Sequence, residues 1–401
     1  MLEKTFTVTH THRVLFTRGV FQPDNATLRD LLTGAREDGQ VTKCVAFVDS
    51  AVEAAHPGLL LSLEEYAAAN PDVFTWAFPP IVLTGGEACK NDFNLMLECW
   101  QVINDSMLDR HSFVLVIGGG AVLDLVCFAA ATAHRGIRHI RFPTTTLSQG
   151  DGGVGVKNGV NFFGKKNWIG SFAVPYAVVN DFAFLDTLHV REKRCGLIEA
   201  LKVALIRDAE FYHWIENNVA ALASLDTAAL EEAVRRSAAL HVDHITTSGD
   251  PFEQGSARPL DFGHWAAHKL EQVSNFSILH GEAVAIGMAV DLFYSALSGL
   301  LDYATAMRVI GLIEQLGFAT YSEQLLSHSS GSEPVILEGL EEFREHLGGQ
   351  LTVTLVPEIG RKIEVHEMDH AHIISALEAL RDRAVQAQAP QPVAEEYVMD
   401  L

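Results

Sequence analysis

The sequence predicts an α/β protein in which an open parallel sheet is followed by a mostly helical region. Up to about residue 187, short apolar runs that end in Gly, Pro or Asp alternate with helical patterns. Alternation of this kind is typical of buried parallel strands with helices on both faces. From about Arg191 the texture changes to long helical periodicity rich in Ala, Leu and Glu. We therefore expect a Rossmann-like N-terminal domain and a mostly α-helical C-terminal domain.

The predicted sheet is built from short apolar runs. They are Lys43–Asp49, Phe78–Gly86, Phe113–Gly120 and Tyr176–Asp181. Helical patterns fill the gaps between them at Asp92–Asp105 and Val122–Ala133. Parallel strands need such crossover helices, because each strand must start again from the same end of the sheet.

The second region is predicted to be helical with one late hairpin. Its helical patterns are Cys195–Ile206, Ala228–Thr246, Gly263–Val273 and Ala283–Leu300. Leu351–Pro357 alternates strictly between apolar and polar residues, which predicts a strand of a hairpin. We expect domains at residues 1–187 and 188–384, and a solvated, flexible tail at residues 385–401.

Composition excludes several classes of protein. With 401 residues, 48% hydrophobic residues and 20% charged residues, the chain is a folded enzyme-like protein rather than a disordered one. Its net charge of −22 repels a phosphate backbone, so we expect no nucleic-acid partner. Asp124 and Asp291 interrupt the longest apolar stretches, and the N-terminus lacks a signal-peptide layout. Five cysteines without CxxC spacing indicate a reducing compartment, so we expect a cytoplasmic protein without a membrane partner.

Three glycines follow one predicted strand directly. Gly118–Gly120 leads into the helix Val122–Ala133, which places bare backbone N–H groups at a positive helix terminus suited to a pyrophosphate. The alternative is a simple tight turn, because the common GxGxxG spacing is absent. Asp124 is the only charge in the apolar run, so it is either exposed or bonded to a polar group in a cleft.

Positive charge concentrates in one segment of this acidic chain. Residues 135–170 hold six basic side chains and one acid, Asp151. Within the segment, FPTTTLSQGDGGVGVKNGVNFFGKKN supplies hydroxyls, glycines and amides, which we interpret as a loop that lies against a phosphorylated ligand. The alternative is a solvated basic face.

A candidate metal site lies in the helical half. In GLIEALK, Glu199 and Lys202 share one helix face, and in RPLDFGHWAAH, Asp261, His264 and His268 follow an i, i+3, i+7 row. His280 opens a further segment. The candidate ligands are Glu199, His264 and His280, a carboxylate and two imidazoles that leave a zinc-like ion one open position. Ordinary core or surface histidines remain the alternative.

Three segments together resemble the sugar phosphate cyclases of the 3-dehydroquinate synthase type. They are GGGAVLD; FPTTTLSQGDGGVGVKNGVNFFGKKNWIG with FLDTL and REKRCGLIEALK; and LDFGHWAAHKLE with ILHGEAVAIGM. The resemblance runs in order from about Lys43 to Gly287. It implies a dehydroquinate synthase-like fold and an enzyme that uses NAD and a divalent metal, zinc or cobalt. Such enzymes eliminate phosphate from a seven-carbon sugar phosphate and close a carbocycle without net redox change.

The resemblance also implies roles for individual residues. The zinc ligands would be Glu199, His264 and His280. NAD would be bound by Asp49, Glu87, Lys90, Gly119, Gly120, Asp124, Thr144, Thr145, Asp151, Lys166, Phe184, Thr187 and Glu192. The substrate phosphate and hydroxyls would be handled by Lys157, Asn167, Lys202, His268 and Arg135, with Asp151 at the same site. The arginine would reach a neighbouring subunit, so we expect a homodimer.

Departures from the 3-dehydroquinate synthase pattern bear on the substrate. In that family a lysine, an arginine, an asparagine and a further lysine hold the substrate carboxylate and neighbouring groups. The positions in this chain are filled by His241, Arg258, Asp261 and His346. Loss of two ammonium groups and gain of a carboxylate disfavour a carboxylated substrate. The pattern is similar to that of cyclases that convert sedoheptulose 7-phosphate to valiolone-type cyclitols.

Three other functions remain open from the sequence. The chain could be a 3-dehydroquinate synthase proper. It could be an NAD- and metal-dependent polyol dehydrogenase, although such an enzyme has no phosphate for Lys157, Lys166 and Lys202 to bind. It could also be a non-catalytic scaffold descended from the cyclases, which the intact candidate metal ligands disfavour.

Overall fold

The computed structural model describes residues 1–35, 40–163, 165–252, 260–328, 333–346 and 349–388. The described residues pack as two units. The first unit takes its residues from Met1–Ala204 and His213–Gly255. The second takes its residues from Leu205–Tyr212 and Ser256–Leu401. The predicted domain limits, 1–187 and 188–384, were drawn where the sequence pattern changes from alternating strands and helices to long helices. They stay a prediction.

The first unit is built on a parallel sheet. Its strands are β1 (Val14–Thr17), β2 (Thr42–Asp49), β3 (Phe74–Trp76), β4 (Ile81–Leu83), β5 (Phe113–Gly118), β6 (Arg138–Pro143), β7 (Lys157–Phe162), β8 (Lys165–Phe172) and β9 (Ala177–Asp181). Within the described residues the sheet order is β1-β9-β6-β5-β2-β3, with β4 also paired to β2, and all pairs are parallel. Strands β7 and β8 form a separate antiparallel hairpin. The predicted α/β architecture is confirmed.

Helices occupy most of the remaining chain. In chain order they are α1 (Thr27–Gly34), α2 (Ser50–Ala55), α3 (Leu59–Ala69), α4 (Phe93–Asp105), α5 (Gly120–Thr132), α6 (Thr146–Gly150), α7 (Ala183–Asp186), α8 (Val190–Arg207), α9 (Ala209–Asn217), α10 (Val219–Ala223), α11 (Thr227–Thr247), α12 (His264–Val273), α13 (His280–Leu297), α14 (Tyr303–Gln315), α15 (Glu338–His346) and α16 (His370–Gln388). Among the described residues, no helix has both the length and the apolar character needed to cross a bilayer.

The sheet of the first unit is covered on both faces, as its apolar strands require. Alternate side chains of β2 and β5 point to opposite faces. Val45 and Val114 pack with α4 and α5 in one apolar cluster. Cys44 and Leu115 pack with α1 and α3 in the other. All five cysteines are buried free thiols.

The second unit is helical and contains the predicted late hairpin. Strands β10 (Val353–Glu358) and β11 (Arg361–Val365) pair antiparallel. Helices α12 and α13 share the most extensive helix–helix contact described within this unit. Helix α16 continues to Gln388, so the first residues of the predicted tail are helical. Residues 389–401 lie outside the described residues.

Two local expectations are wrong. The segment from Phe142 to Asn167 is not a single loop, because it contains α6, a 3₁₀ turn at Gly152–Val154 and the β7–β8 hairpin. Asp261 does not share a helix face with the two histidines after it, because α12 begins only at His264. Gly263 has φ +78° at the helix start, and this left-handed conformation separates Asp261 from the helix.

Candidate active site

The glycine turn after β5 lies against two other predicted site segments. The backbone N–H of Thr144 donates to the carbonyl of Gly118 at 3.1 Å. A Cβ atom on Gly119 would lie 3.5 Å from the side chain of Thr145. A Cβ atom on Gly118 would lie 3.1 Å from the Cβ of Asp49. The carboxyl ends of β2, β5 and β6 therefore bring these residues together, as expected for an open parallel sheet.

Asp49 ends β2 and caps the next helix. Its carboxylate accepts a hydrogen bond from the backbone N–H of Ala51 at 2.9 Å. Burial raises the pKa of Asp49, although the backbone N–H groups of Ala51 and Gly119 oppose the rise. Gly85 approaches this carboxylate so closely that a Cβ atom there would collide with it. The carboxylate is therefore fixed beside the start of α5.

A second cluster of predicted residues surrounds a buried lysine. The ammonium of Lys90 lies 2.8 Å from Oδ2 of Asp124 and 3.8 Å from Oε1 of Glu87, and it also donates to Asn167. Lys166 lies 3.9 Å from the same Glu87 oxygen. Burial alone would lower the pKa of Lys90, but the two carboxylates outweigh it and raise the value. Asp124 is thus bonded to a polar group, as one of the two readings of the sequence expected.

The glycine-rich segment after α6 is held by a buried arginine. Arg141 is fully buried and donates to the carbonyls of Gly153, Gly155 and Lys157 and to Oδ1 of Asn158. Arg141 is one of the six basic side chains that we expected to lie near a phosphorylated ligand. In the structure its guanidinium binds the backbone of the glycine-rich segment instead. Lys157 itself is exposed at the start of β7.

Asp151 is paired with a histidine and a lysine side chain. Its Oδ1 lies 2.7 Å from Nδ1 of His241, and its Oδ2 lies 3.3 Å from Nζ of Lys202. Lys202 also lies 2.5 Å from Oε2 of the buried Glu199. Burial would raise the pKa of Asp151, but Lys202 and His241 hold it well below its usual value. The carboxylate therefore stays ionised at neutral pH.

Two further predicted residues lie near a histidine that the sequence did not single out. His56 follows α2 and lies 2.7 Å from Oγ1 of Thr187 through its Nε2 atom. Its ring packs edge-on against Phe184, with 5.4 Å between ring centroids. Its position shortly after the predicted Asp49 strand was the available signal. Glu192 is exposed, and its backbone carbonyl accepts from the hydroxyl of Thr146.

Three histidines of the second unit form one cluster. His264 and His268 lie one turn apart on α12, and His280 opens α13. The ring centroid of His264 lies 5.4 Å from each of the other two. Nδ1 of His264 lies 3.0 Å from the carbonyl of Phe262, and Nδ1 of His280 lies 3.0 Å from Oε2 of Glu271. When each ring is neutral and donates from Nδ1, Nε2 is the nitrogen that could hold a metal ion.

Glu271 is a member of this cluster that the sequence did not predict. Its carboxylate is buried, and ligand atoms of His268, Glu271 and His280 lie within 4.8 Å of one another. The available signal was a buried acid three residues after a histidine on the same helix face. A carboxylate that orients a histidine ring is a common outer partner in metal sites.

The remaining predicted residues lie apart from these clusters or outside the described part of the chain. Arg135 lies before β6, at the amino end of the sheet, where it lines a cavity of about 500 Å³ with Arg110. Arg258 lies outside the described residues. His346 ends α15, and its side chain is outside what is described.

Comparison with known proteins identifies the family. The N-terminal part of 3-dehydroquinate synthase matches residues 80–195, and its C-terminal part matches residues 196–330. The 3-dehydroquinate synthase of Pseudomonas putida (strain W619) is 35% identical over 77% of this chain and 82% of its own length. The 2-epi-5-epi-valiolone synthase of Streptomyces glaucescens is 33% identical over 92% of this chain and 91% of its own.

A solved structure matches the fold across nearly the whole chain. It is the 2-epi-5-epi-valiolone synthase of Streptomyces hygroscopicus subsp. jinggangensis 5008, with NAD⁺ and Zn²⁺ bound. Its TM-score is 0.82 at 26% sequence identity, over 95% of this chain and 100% of that one. The fold and the sequence thus define a dehydroquinate synthase-like α/β protein. The chain belongs to the 3-dehydroquinate synthase family of sugar phosphate cyclases.

Proposed function

We propose that this chain is an NAD- and metal-dependent cyclase that eliminates phosphate from a heptulose 7-phosphate and closes a carbocycle. We propose sedoheptulose 7-phosphate as the substrate and a valiolone-type cyclitol as the product. The similarity to 2-epi-5-epi-valiolone synthases over more than nine-tenths of the chain supports this choice. The matched 3-dehydroquinate synthase of Pseudomonas putida aligns over a smaller share, 77%.

The first unit offers a site that fits NAD. The backbone N–H groups of Gly119 and Gly120 begin α5, and a helix start of this kind binds a pyrophosphate. Asp49 lies beside the turn, and Asp124 on the first part of α5 is paired with Lys90 from the turn at Glu87–Asn91. Bound NAD would supply the acceptor for a hydride from the carbon that bears a substrate hydroxyl, whose O–H proton is lost as the ketone forms, and the hydride would later be returned. We assign the predicted domain 1–187 to this role.

We assign the divalent metal, zinc or cobalt, to Glu199, His264 and His280. The donor set of one carboxylate and two imidazoles suits zinc. His264 and His280 have their Nδ1 atoms held by Phe262 and Glu271, which supports binding through Nε2. A metal there would polarise a substrate oxygen. We assign the predicted domain 188–384 to metal and substrate binding.

The pairing of His241 with Asp151 is the observation that best supports a substrate without a carboxylate. By the family resemblance, this histidine stands where 3-dehydroquinate synthases use a lysine for the substrate carboxylate. Because Nδ1 of His241 lies 2.7 Å from Oδ1 of Asp151, this imidazole nitrogen already faces a carboxylate of the protein. By the same resemblance, Asp261 stands where those enzymes use a neutral asparagine, and it would add a negative charge. A substrate without a carboxylate suits such a pocket better than a carboxylated one.

Other residues would bind the phosphate and hydroxyls. We propose that Lys157, Asn167, Lys202 and His268 do so within one copy of the chain. Arg135 lies at the end of the sheet opposite to Gly119, which supports a role in the site of a neighbouring copy. We therefore propose a homodimer in which Arg135 completes the partner's phosphate site.

Phosphate release tests the proposed function against its alternatives. The assay compares sedoheptulose 7-phosphate with 3-deoxy-arabino-heptulosonate 7-phosphate, at catalytic NAD and saturating zinc. We expect the higher specificity constant with sedoheptulose 7-phosphate. The reverse order would favour a 3-dehydroquinate synthase proper, and steady NADH accumulation would favour a polyol dehydrogenase. No turnover of any sugar phosphate or polyol would leave the scaffold reading.

A further inference from the structure

Helices α12 and α13 approach each other at two glycines. A Cβ atom on Gly263 would lie 2.6 Å from the backbone nitrogen of Met288, and one on Gly287 would collide with the carbonyl of Gly263. Gly263 also has φ +78°, which L side chains rarely adopt. The first turn of α12, which begins with His264, therefore lies directly against the middle of α13.

A fully buried carboxylate on α13 fixes this contact. Asp291 lies one turn after Gly287 on α13 and has no exposed surface. Its Oδ2 accepts from the backbone N–H of Gly263 at 2.9 Å, and its Oδ1 accepts from Nε1 of Trp265 at 2.8 Å. The two donors are the residues immediately before and after His264. One carboxylate is thus hydrogen-bonded to the residues on both sides of this histidine.

We propose that Asp291 is a positioning residue that holds His264 at a fixed place relative to His280 and thereby sets the affinity of the histidine site for a divalent metal. The inference rests on the proposed function, because that function assigns the metal to these two histidines. His280 opens the same helix that carries Asp291. The carboxylate therefore joins the helix of one proposed ligand to the backbone on either side of the other.

The cost of burying this group argues that its role is geometric. Burial raises the pKa of Asp291 to about 7, although the hydrogen bonds from Trp265 and Gly263 oppose the rise. A carboxylate in such a place stabilises a fold less well than an apolar side chain of similar size. Each carboxylate oxygen of Asp291, however, accepts one hydrogen bond and so fixes the position of one donor. Metal affinity depends on hydrogen bonds of this kind around the ligands.

The test measures zinc affinity in folded, purified protein. Asp291→Asn keeps the size of the side chain but supplies one acceptor oxygen and one donor in place of two acceptors. We expect its zinc dissociation constant, from competition with a chelator, to rise by about ten- to a hundredfold. The visible absorption spectrum of the cobalt-loaded variant should also differ from that of the cobalt-loaded wild-type protein, because this spectrum depends on the geometry of the ligands. Trp265→Phe removes one donor only and should give a smaller rise.

Asp181→Asn is the matched control. Asp181 is also a buried aspartate, and it accepts from the backbone N–H groups of Gly19, Val20 and Ala183. This control should lose stability while its zinc dissociation constant stays within about twofold of the wild-type value. If Asp291→Asn does not fold, Trp265→Phe provides the comparison.

The outcomes separate the inference from the proposed function. Unchanged zinc affinity in both Asp291→Asn and Trp265→Phe, with normal binding by the wild-type protein, would overturn the inference alone. An equal loss in Asp181→Asn would also overturn it, because the effect would then follow general destabilisation. A wild-type protein that binds no zinc would overturn the proposed metal site and the inference with it.

Discussion

Nδ1 of His241 lies 2.7 Å from Oδ1 of Asp151, while Nζ of Lys202 lies 3.3 Å from the other oxygen of the same carboxylate. Both oxygens of Asp151 thus have a side-chain nitrogen of the protein as a partner. By the family resemblance, His241 stands where 3-dehydroquinate synthases have a substrate-binding lysine. In this chain that side chain is paired with Asp151. This relationship makes substrate charge the property to test.

Replacing His241→Lys together with Asp261→Asn should move substrate preference toward the carboxylated heptulosonate. The change puts an ammonium in place of an imidazole and removes an anion, and both changes favour a substrate carboxylate. We expect the ratio of specificity constants to shift by about tenfold or more, and tenfold corresponds to about 1.4 kcal/mol. Specificity constants for phosphate release with both substrates measure the shift. His241→Gln, which adds no cation, is the control. An unchanged ratio in the double variant would remove these positions from substrate selection.

His264→Ala should strongly weaken metal retention. Only two of the three proposed protein ligands would remain, and a metal site that keeps one position open for substrate depends on all three. Elemental analysis after dialysis should find about one metal per chain in the wild-type protein and little in the variant. His370→Ala, at a half-exposed histidine of the same unit, should retain the wild-type amount. Full metal in His264→Ala would exclude that residue as a ligand.

Arg141→Lys should destabilise the first unit. One ammonium cannot replace a guanidinium that donates to four acceptors, and each buried acceptor left without a donor costs about 1–3 kcal/mol. Urea unfolding should show the free energy of unfolding lowered by several kcal/mol, on the order of those summed costs. The exposed Arg110→Lys should stay within about 0.5 kcal/mol of wild type. A similarly small effect for Arg141→Lys would contradict the loop-fixing role.

His139 should make the fold sensitive to acid. Burial, with help from the charge of Arg141, lowers the pKa of His139 from its ordinary 6.5 to about 3. Between these values the unfolded chain binds a proton that the folded chain does not, so stability falls as pH decreases. The contribution is about 1.4 kcal/mol for each pH unit. Unfolding free energies at pH 4 to 6 should therefore fall less steeply in His139→Gln than in wild type. Parallel pH profiles would contradict the assignment.

The sequence predicted strands β2, β5 and β9 well because they are buried on both faces. Uninterrupted apolar runs such as those of β2 and β5 leave little choice of secondary structure. The β7–β8 hairpin was missed because its glycines and asparagines are typical of loops. Gly159 pairs with Gly170 so closely that a Cβ there would lie 2.8 Å from the carbonyl of Ile169. The need for glycine at position 159 comes from contact with the neighbouring strand, so the residues around Gly159 alone do not indicate it.

The candidate site was predicted unevenly for a similar reason. Lys90 and Asp124 were both named as NAD-binding residues from the family resemblance, and the structure pairs their side chains. The roles of Arg141 and Glu271 were missed because each acts through tertiary contacts with backbone carbonyls or a histidine ring. Asp261 was misplaced because the left-handed Gly263 starts the helix two residues after it.

The most direct test of the proposed function is the identity of the product and the fate of the cofactor. Purified protein is incubated with sedoheptulose 7-phosphate, zinc and NAD at a small fraction of the substrate concentration, and the product is identified by NMR and mass spectrometry. We predict one inorganic phosphate for each carbocyclic, valiolone-type product, with many turnovers per NAD and no accumulated NADH. An acyclic oxidised sugar formed together with stoichiometric NADH, or dehydroquinate formed faster from the carboxylated heptulosonate, would contradict it.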